Sequence, residues 1–232
     1  DALSTTDPEK TVLEMICINS FPGFDTFRGI GQLTPTQMGS LMDQRKPVTP
    51  DVLDLAREGW QAFRSAAPRH LAAYCDNDLQ CLPFLRAALL RHFAEYPSVQ
   101  NGLTRTESQI LRLVQDGVHA PQQLFVQNMD QEAALYIGDW RTYAVIQFLC
   151  EAGLLACTPS PFWYGAMTAE DRDAFKEQRV NLTDNGAAVL DGKTDLAAIA
   201  DRDQWLGGVH IRFGQPHWRW DADEGEVAWH QT

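Results

Sequence analysis

"RVNLTDNGAAVLDG", residues 179–192, holds the pattern on which the fold turns: a strand-forming run, a Leu-Thr step, and a helical turn of small residues closed by Gly192. Thr183 stands where a helix N-cap belongs, and a glycine past the last turn supplies a left-handed stop. Upstream, "TAEDRDAFKEQ" (168–178) reads as a helix, and "DWRTYAVIQFLCEAGLL" (139–155) as a longer one with few polar positions. "PQQLFVQNM" (121–129) is a short helix opened by proline. In "LTRTESQILRLVQDG" (103–117), Thr104 and Glu107 form a capping box, Ile110, Leu111, Leu113 and Val114 face a core, and Gly117 ends the element. Three helices, a strand, a wing and a strand predict a winged-helix-like module over 98–200.

The polar turn "SVQNG" (98–102) marks the expected boundary with an N-terminal part, 1–97. There "TVLEMICI" (11–18) reads as a buried strand, the remnant of an α/β part. Helices follow: one opened by Thr34-Pro35 with Gln37 three residues past the cap, one opened by Thr49-Pro50, and "PFLRAALLRHFAEY" (83–96). The tail, 201–232, contains two alternating segments, "VHIRF" and "HWRWD", predicted as strands of a hairpin packing its tryptophans onto the module. "DADEGEVAWHQT" reads as a frayed end. The fold class is therefore α+β, predominantly helical, with a small β tail.

Composition narrows the function. The 232 residues carry 19 basic and 31 acidic groups, a formal charge of −12. Between Leu103 and Gly192 there are six basic residues against twelve acidic ones, the wrong sign for a phosphate polymer. Nucleic acid is disfavoured as a partner, and no run of about eighteen apolar residues points to a membrane. Five cysteines, odd in number and without a C-x-x-C pair, read as reduced thiols packed as small hydrophobes, which together with the absence of a signal-peptide pattern places the chain in the cytoplasm. The first residue is not methionine, which suggests a processed or trimmed piece of a longer chain.

"RHFAEYPSVQNGLTRTESQILRLVQDG" (91–117), "YIGDW" (136–140), "VNLTDNGAAVLDG" (180–192), "WLGGVH" (205–210) and "WRWD" (218–221) follow one another in an order that resembles a bacterial family of uncharacterised proteins, domain of unknown function 1835. "FPGFDTFRGIGQL" (21–33) and "RKPVTPDVLDLAREGWQAF" (45–63) resemble its middle section. The resemblance implies an N-terminal α/β part, helices and a winged-helix-like C-terminal part, and no established activity. Where that family tends to read Asp-Arg-Trp, this chain has Asp203-Gln204-Trp205, which weakens anion binding by the tail.

No catalytic set, cofactor motif or metal-ligand spacing stands out. Ligand-binding candidates are Asp25 and Arg28 with Gly29 and Gly31, in the loop past the first strand, where an α/β sheet places its crevice. Asp203, His210 and His217 are the others, with the two histidines able to meet across a hairpin and His210 able to share a proton with Asp203. Interaction candidates are Trp140, Arg141 and Tyr143 on the third helix and Phe162, Trp163 and Tyr164 in the wing. The leading expectation is a non-catalytic module that contacts a protein or a second copy of itself. An enzyme or phosphate-ligand binder with its site in the N-terminal part is the alternative, and a DNA-binding regulator using Arg105, Arg112, Arg141 and Arg179 is the second.

Overall fold

A computed structural model describes residues 12–165 and 168–231. Pro8 and Thr11, which bound the expected first strand, lie outside them. The chain is α+β and divides into two compact units, 1–59 and 60–232. The division falls inside a helix, and 98–102 lies within the second unit.

In the first unit, strand β1 is only Glu14–Met15 and pairs antiparallel with β2, Lys46–Pro47. The expected buried strand is corrected: Val12 is 81% exposed, Cys17 is exposed too, and the pairing partner is a two-residue strand. An apolar run needs facing sheet to become a central strand, and a Lys-Pro dipeptide offers none. Helix α1, Pro35–Ser40, begins as its sequence predicts, with the Thr34 hydroxyl accepting from the Gln37 N–H and the Gln37 side chain accepting from the Thr34 N–H. Phe21, Phe24 and Phe27 form a ring cluster in the loop before it, with centroids 5.8–6.4 Å apart. Helix α2 spans Pro50–Phe63, across the division.

The second unit continues with α3, Arg69–Tyr74, and α4, Leu85–Phe93. Helices α5, Arg105–Gln115, α6, Pro121–Asp130, and α7, Asp139–Glu151, follow. Strand β3, Leu155–Thr158, pairs antiparallel with β4, Arg179–Leu182, and between them lies α8, Ala169–Glu177; α9, Asp184–Leu190, comes next. Ile110, Leu111, Leu124, Ile146, Leu149, Leu154, Val180 and Val189 are completely buried. Each contributes about 1.5–3 kcal/mol from the apolar surface it removes from water. The Thr183 hydroxyl caps α9 by accepting the Gly186 N–H and donates to the Gly153 carbonyl. A side chain at Gly186 would place its Cβ 2.2 Å from the Leu154 carbonyl oxygen, so the glycine in "TDNG" lets α9 close against the end of α7.

Two separate hairpins close the chain. Strand β5, Asp203–Leu206, pairs with β6, Val209–Arg212, and β7, His217–Asp221, pairs with β8, Glu226–His230. The expected hairpin between "VHIRF" and "HWRWD" is therefore corrected, and so is the frayed end, which supplies β8. The tight turn Gly207–Gly208 packs on the end of α2: the Gly208 N–H donates to the Phe63 carbonyl, and a Cβ at Gly208 would lie 1.8 Å from the Arg64 carbonyl oxygen. The turn of the second hairpin, 222–225, is exposed.

Strand β7 faces inward with its polar side chains. His217 and Arg219 are each 1% exposed, whereas Trp205, one of the tryptophans expected to be buried, is 65% exposed. The Arg219 guanidinium forks onto Asp195 at 2.5 and 3.0 Å and also donates to the Ser98 carbonyl and to His217 Nε2. Asp195 in turn accepts the Ala197 N–H, and the Trp220 ring stacks on Phe93 at 5.7 Å. Backbone bonds from Val99 N–H to the Trp220 carbonyl and from Trp220 N–H to the Pro97 carbonyl fasten β7 to the turn before α5.

Asp195→Ala leaves this guanidinium buried without its carboxylate and costs about 3–5 kcal/mol. Urea unfolding followed by far-UV circular dichroism reads the loss, and Arg219→Met combined with Asp195→Leu recovers most of it.

Candidate functional site

The first group of ligand candidates sits in the first unit. Asp25, Arg28 and Gly31 are exposed, and Gly29 takes a positive φ of 137°. Amides of this loop turn to their own chain: Arg28 N–H donates to Gln32 Oε1, Gln32 N–H to the Gly29 carbonyl and Leu33 N–H to the Ile30 carbonyl. A phosphate cradle needs such donors pointing outward together, so the loop is a self-satisfied turn. Among the described residues no larger sheet places a crevice there, because the two-residue β1 pairs only with the two-residue β2.

A cleft of about 230 Å³ opens in the second unit instead, between α7 and residues 201–204, floored by the start of α5. Glu107, Arg141, Phe148, Asp201, Arg202 and Asp203 line it. Glu107 closes the capping box of α5 through Oε2, which accepts the Thr104 N–H at 2.8 Å, and receives Arg202 Nη2 on Oε1 at 2.5 Å. Arg202 is buried, with its Cζ 4.9 Å from the Phe148 ring centroid and 5.1 Å from that of Phe213. Glu107 is legible in the sequence as a capping residue; its second role depends on Arg202, 95 residues downstream, which the flanking acids of "DRD" (201–203) mask.

At the edge of this cleft, the structure brings together two expected residues. His210 Nε2 and Asp203 Oδ1 are 2.6 Å apart, and Arg212 reaches the other Asp203 oxygen at 2.9 Å. The His210 bond, with Arg212 beside it, holds the Asp203 carboxyl below the usual aspartate range. Trp205 stacks flat on the His210 ring, 4.5 Å between centroids. The pairing comes from register: Asp203 faces Arg212 and Trp205 faces His210 across the hairpin.

His217 is separate from this group. Its Nδ1 lies 2.8 Å from the Gln215 carbonyl and its Nε2 accepts from Arg219 at 3.2 Å, contacts that only the neutral ring with hydrogen on Nδ1 satisfies. Its cross-strand neighbour is His230, so the expected meeting with His210 does not occur.

The aromatic candidates divide by exposure. Trp140 is 54% exposed and Trp163 is 41% exposed, while Phe162 is buried and Tyr143 and Tyr164 are half-buried. Tyr164 packs edge-on against Trp140 at 5.5 Å, and Tyr143 against Phe175 at 4.8 Å, which ties α7 to the segment before α8 and to α8 itself. Helix α7, with few polar positions, presents its N-terminal turn to solvent. Arg141, on that turn, points to the cleft.

The remaining arginines have different surroundings. Arg105 and Arg112 line a second cleft with Ser108, Gln109 and Gln131, Arg141 lines the first, and Arg179 donates to the carbonyls of Lys176 and Gln178. Of the thiols, Cys75 is buried, and Cys81 joins Cys17 in being exposed against expectation. Burial pushes the Cys150 thiol up to about 12, with smaller upward pushes from Cys157 and Glu151, so it stays protonated. Among the described residues no three His, Cys, Asp or Glu side chains gather as metal ligands, and no helix is long and apolar enough to cross a membrane. No family model, curated protein or solved structure matches the chain.

Buried His217 and half-buried His92 make the second unit sensitive to acid. Burial lowers the affinity of His217 for a proton, as it does for His92, where Glu95 opposes the effect. A histidine depressed in the folded state takes up its proton first in the unfolded chain, so stability is full above about pH 6.5 and falls as pH drops toward the folded values. Burial works to raise Asp195, but the bonds from Arg219 and Ala197 outweigh it and hold the carboxyl low, so its contribution is lost only below about pH 4. Urea midpoints between pH 7 and pH 5 decrease in the wild type; His217→Gln lessens the slope, and a slope unchanged by that substitution contradicts the assignment.

Proposed function

We propose that the chain is a non-catalytic interaction module of the reducing cytoplasm, built on a winged-helix-like scaffold, whose contact surface is the start of α7 with the segment 162–164. One observation carries the reading: Trp140 on α7 and Trp163 in the segment before α8 are 54% and 41% exposed, and large aromatics that reach solvent are the anchors of protein interfaces. Tyr164 braces Trp140, which lowers the entropy lost on docking. With a net charge of −12, two copies repel one another, and the same charge attracts a polypeptide that sets basic groups beside an apolar anchor. The partner is accordingly a basic protein surface. Arg105 pairs with Glu132 and Arg179 gives its donors to the Lys176 and Gln178 carbonyls, which supports protein over DNA, since phosphate contacts need guanidinium donors that are free.

The test places a photoreactive residue at position 163 in living cells, identifies crosslinked proteins, and titrates each purified protein against the whole chain. A basic protein whose affinity falls at least about tenfold with Trp140→Ser, and falls again as salt is raised, is the expected result. Crosslinks to nucleic acid alone, to a second copy alone, or an affinity indifferent to Trp140 contradicts the reading.

A further inference from the structure

The cleft between α7 and residues 201–204 has binding capacity that the protein-contact surface does not use. Arg202 is 5% exposed, and the rings of Phe148 and Phe213 pack on its guanidinium. Stacking on rings leaves the in-plane N–H groups to make hydrogen bonds. Nη2 gives its bond to Glu107, while Nη1 is buried and finds no acceptor among the described residues. A buried charged donor left in this state is costly, and it is a standing demand for an acceptor.

The rest of the lining sets the chemistry of that acceptor. Glu107 is matched by Arg202, and Asp203 by Arg212 and His210. Two lining charges, the cation Arg141 and the anion Asp201, form no ion pair among the described residues. A simple anion meets repulsion from three carboxylates in the lining, and a simple cation meets two guanidiniums. A molecule carrying both charges a few bonds apart meets neither penalty. The volume, about 230 Å³, lies below that of pockets for drug-sized ligands and suits a compact metabolite.

We propose that this cleft binds a small zwitterion of the α-amino-acid class, its carboxylate on Arg202 Nη1 and Arg141 and its ammonium on Asp201. Arg202 is fixed by Glu107 and the two phenyl rings before the ligand arrives, so recognition is preorganised at the carboxylate end. Arg141 and Asp201 sit at the rim and close over the charges. Phe148 and the methyl groups of Val145 and Ala144 form the apolar wall for a short side chain.

Calorimetric titration and thermal melting of the whole chain with glycine, alanine, leucine, glutamate and lysine test the site, with sodium acetate and methylammonium chloride as the separated halves. At least one amino acid saturates with a Kd of about 1 mM or tighter and raises Tm, while neither half saturates. Arg141→Gln and Asp201→Asn, chosen because neither residue has a buried ion pair to lose, each weaken binding at least about tenfold with an unchanged circular dichroism spectrum. The proposal is overturned if no amino acid saturates by about 10 mM, if acetate binds as well as the amino acids, or if Arg141→Gln leaves the affinity intact.

Discussion

The second unit depends on one ion pair. Arg219 on β7 cannot be buried without Asp195, and the pair joins a strand near the end of the chain to the helical turn that follows α9. The pair is also the reason β7 lies inside out. A period of two along His217-Trp218-Arg219-Trp220 offers the interior either histidine and arginine or two tryptophans. Hydrophobicity alone selects the tryptophans, yet the fork onto Asp195 and the bonds to the Ser98 carbonyl and His217 Nε2 give the guanidinium four directed contacts in place of water. The tryptophan face is not lost, because Trp220 still stacks on Phe93 and Trp218 meets Trp229 edge-on.

What the sequence discloses and what it hides divide along the range of the interactions concerned. Capping boxes at Thr34 and Thr104 act over three residues and are legible in the order of letters. Gly192 is legible as the stop of its helical turn, whereas the need for glycine in "TDNG" is not, since the Leu154 carbonyl that excludes a side chain there lies far off in sequence. Burial of Arg219 was not legible, since its partner lies 24 residues upstream and nothing local marks it. The apolar run at 12–18 failed for a related reason: such a run states a capacity for burial, and only a facing sheet can use it. Helix α3 was missed because "RHLAAY" is too short to show a period.

The candidate sites divide the same way. The Asp203–His210 contact follows from the β5–β6 register around Gly207–Gly208, where the sequence pattern points instead to a hairpin between "VHIRF" and "HWRWD". The cleft beside it is assembled from α5, α7 and residues 201–204, nearly a hundred residues apart at the extremes, so no spacing rule reaches it. Helix α7 serves two surfaces: Trp140 faces solvent, and Arg141, one residue on, lines the cleft. Adjacent residues on a helix are separated by about 100°, which is how one turn can supply both.

The two hairpin turns differ in a way that bears on how this chain can vary and be handled. Gly207–Gly208 is wedged against the backbone of Phe63 and Arg64, so neither a longer loop nor a bulkier residue has room there. The 222–225 turn meets only solvent. Lineage drift in length, an epitope graft or a fluorophore attachment therefore has a natural place at the second bend, and the first is closed to all of them.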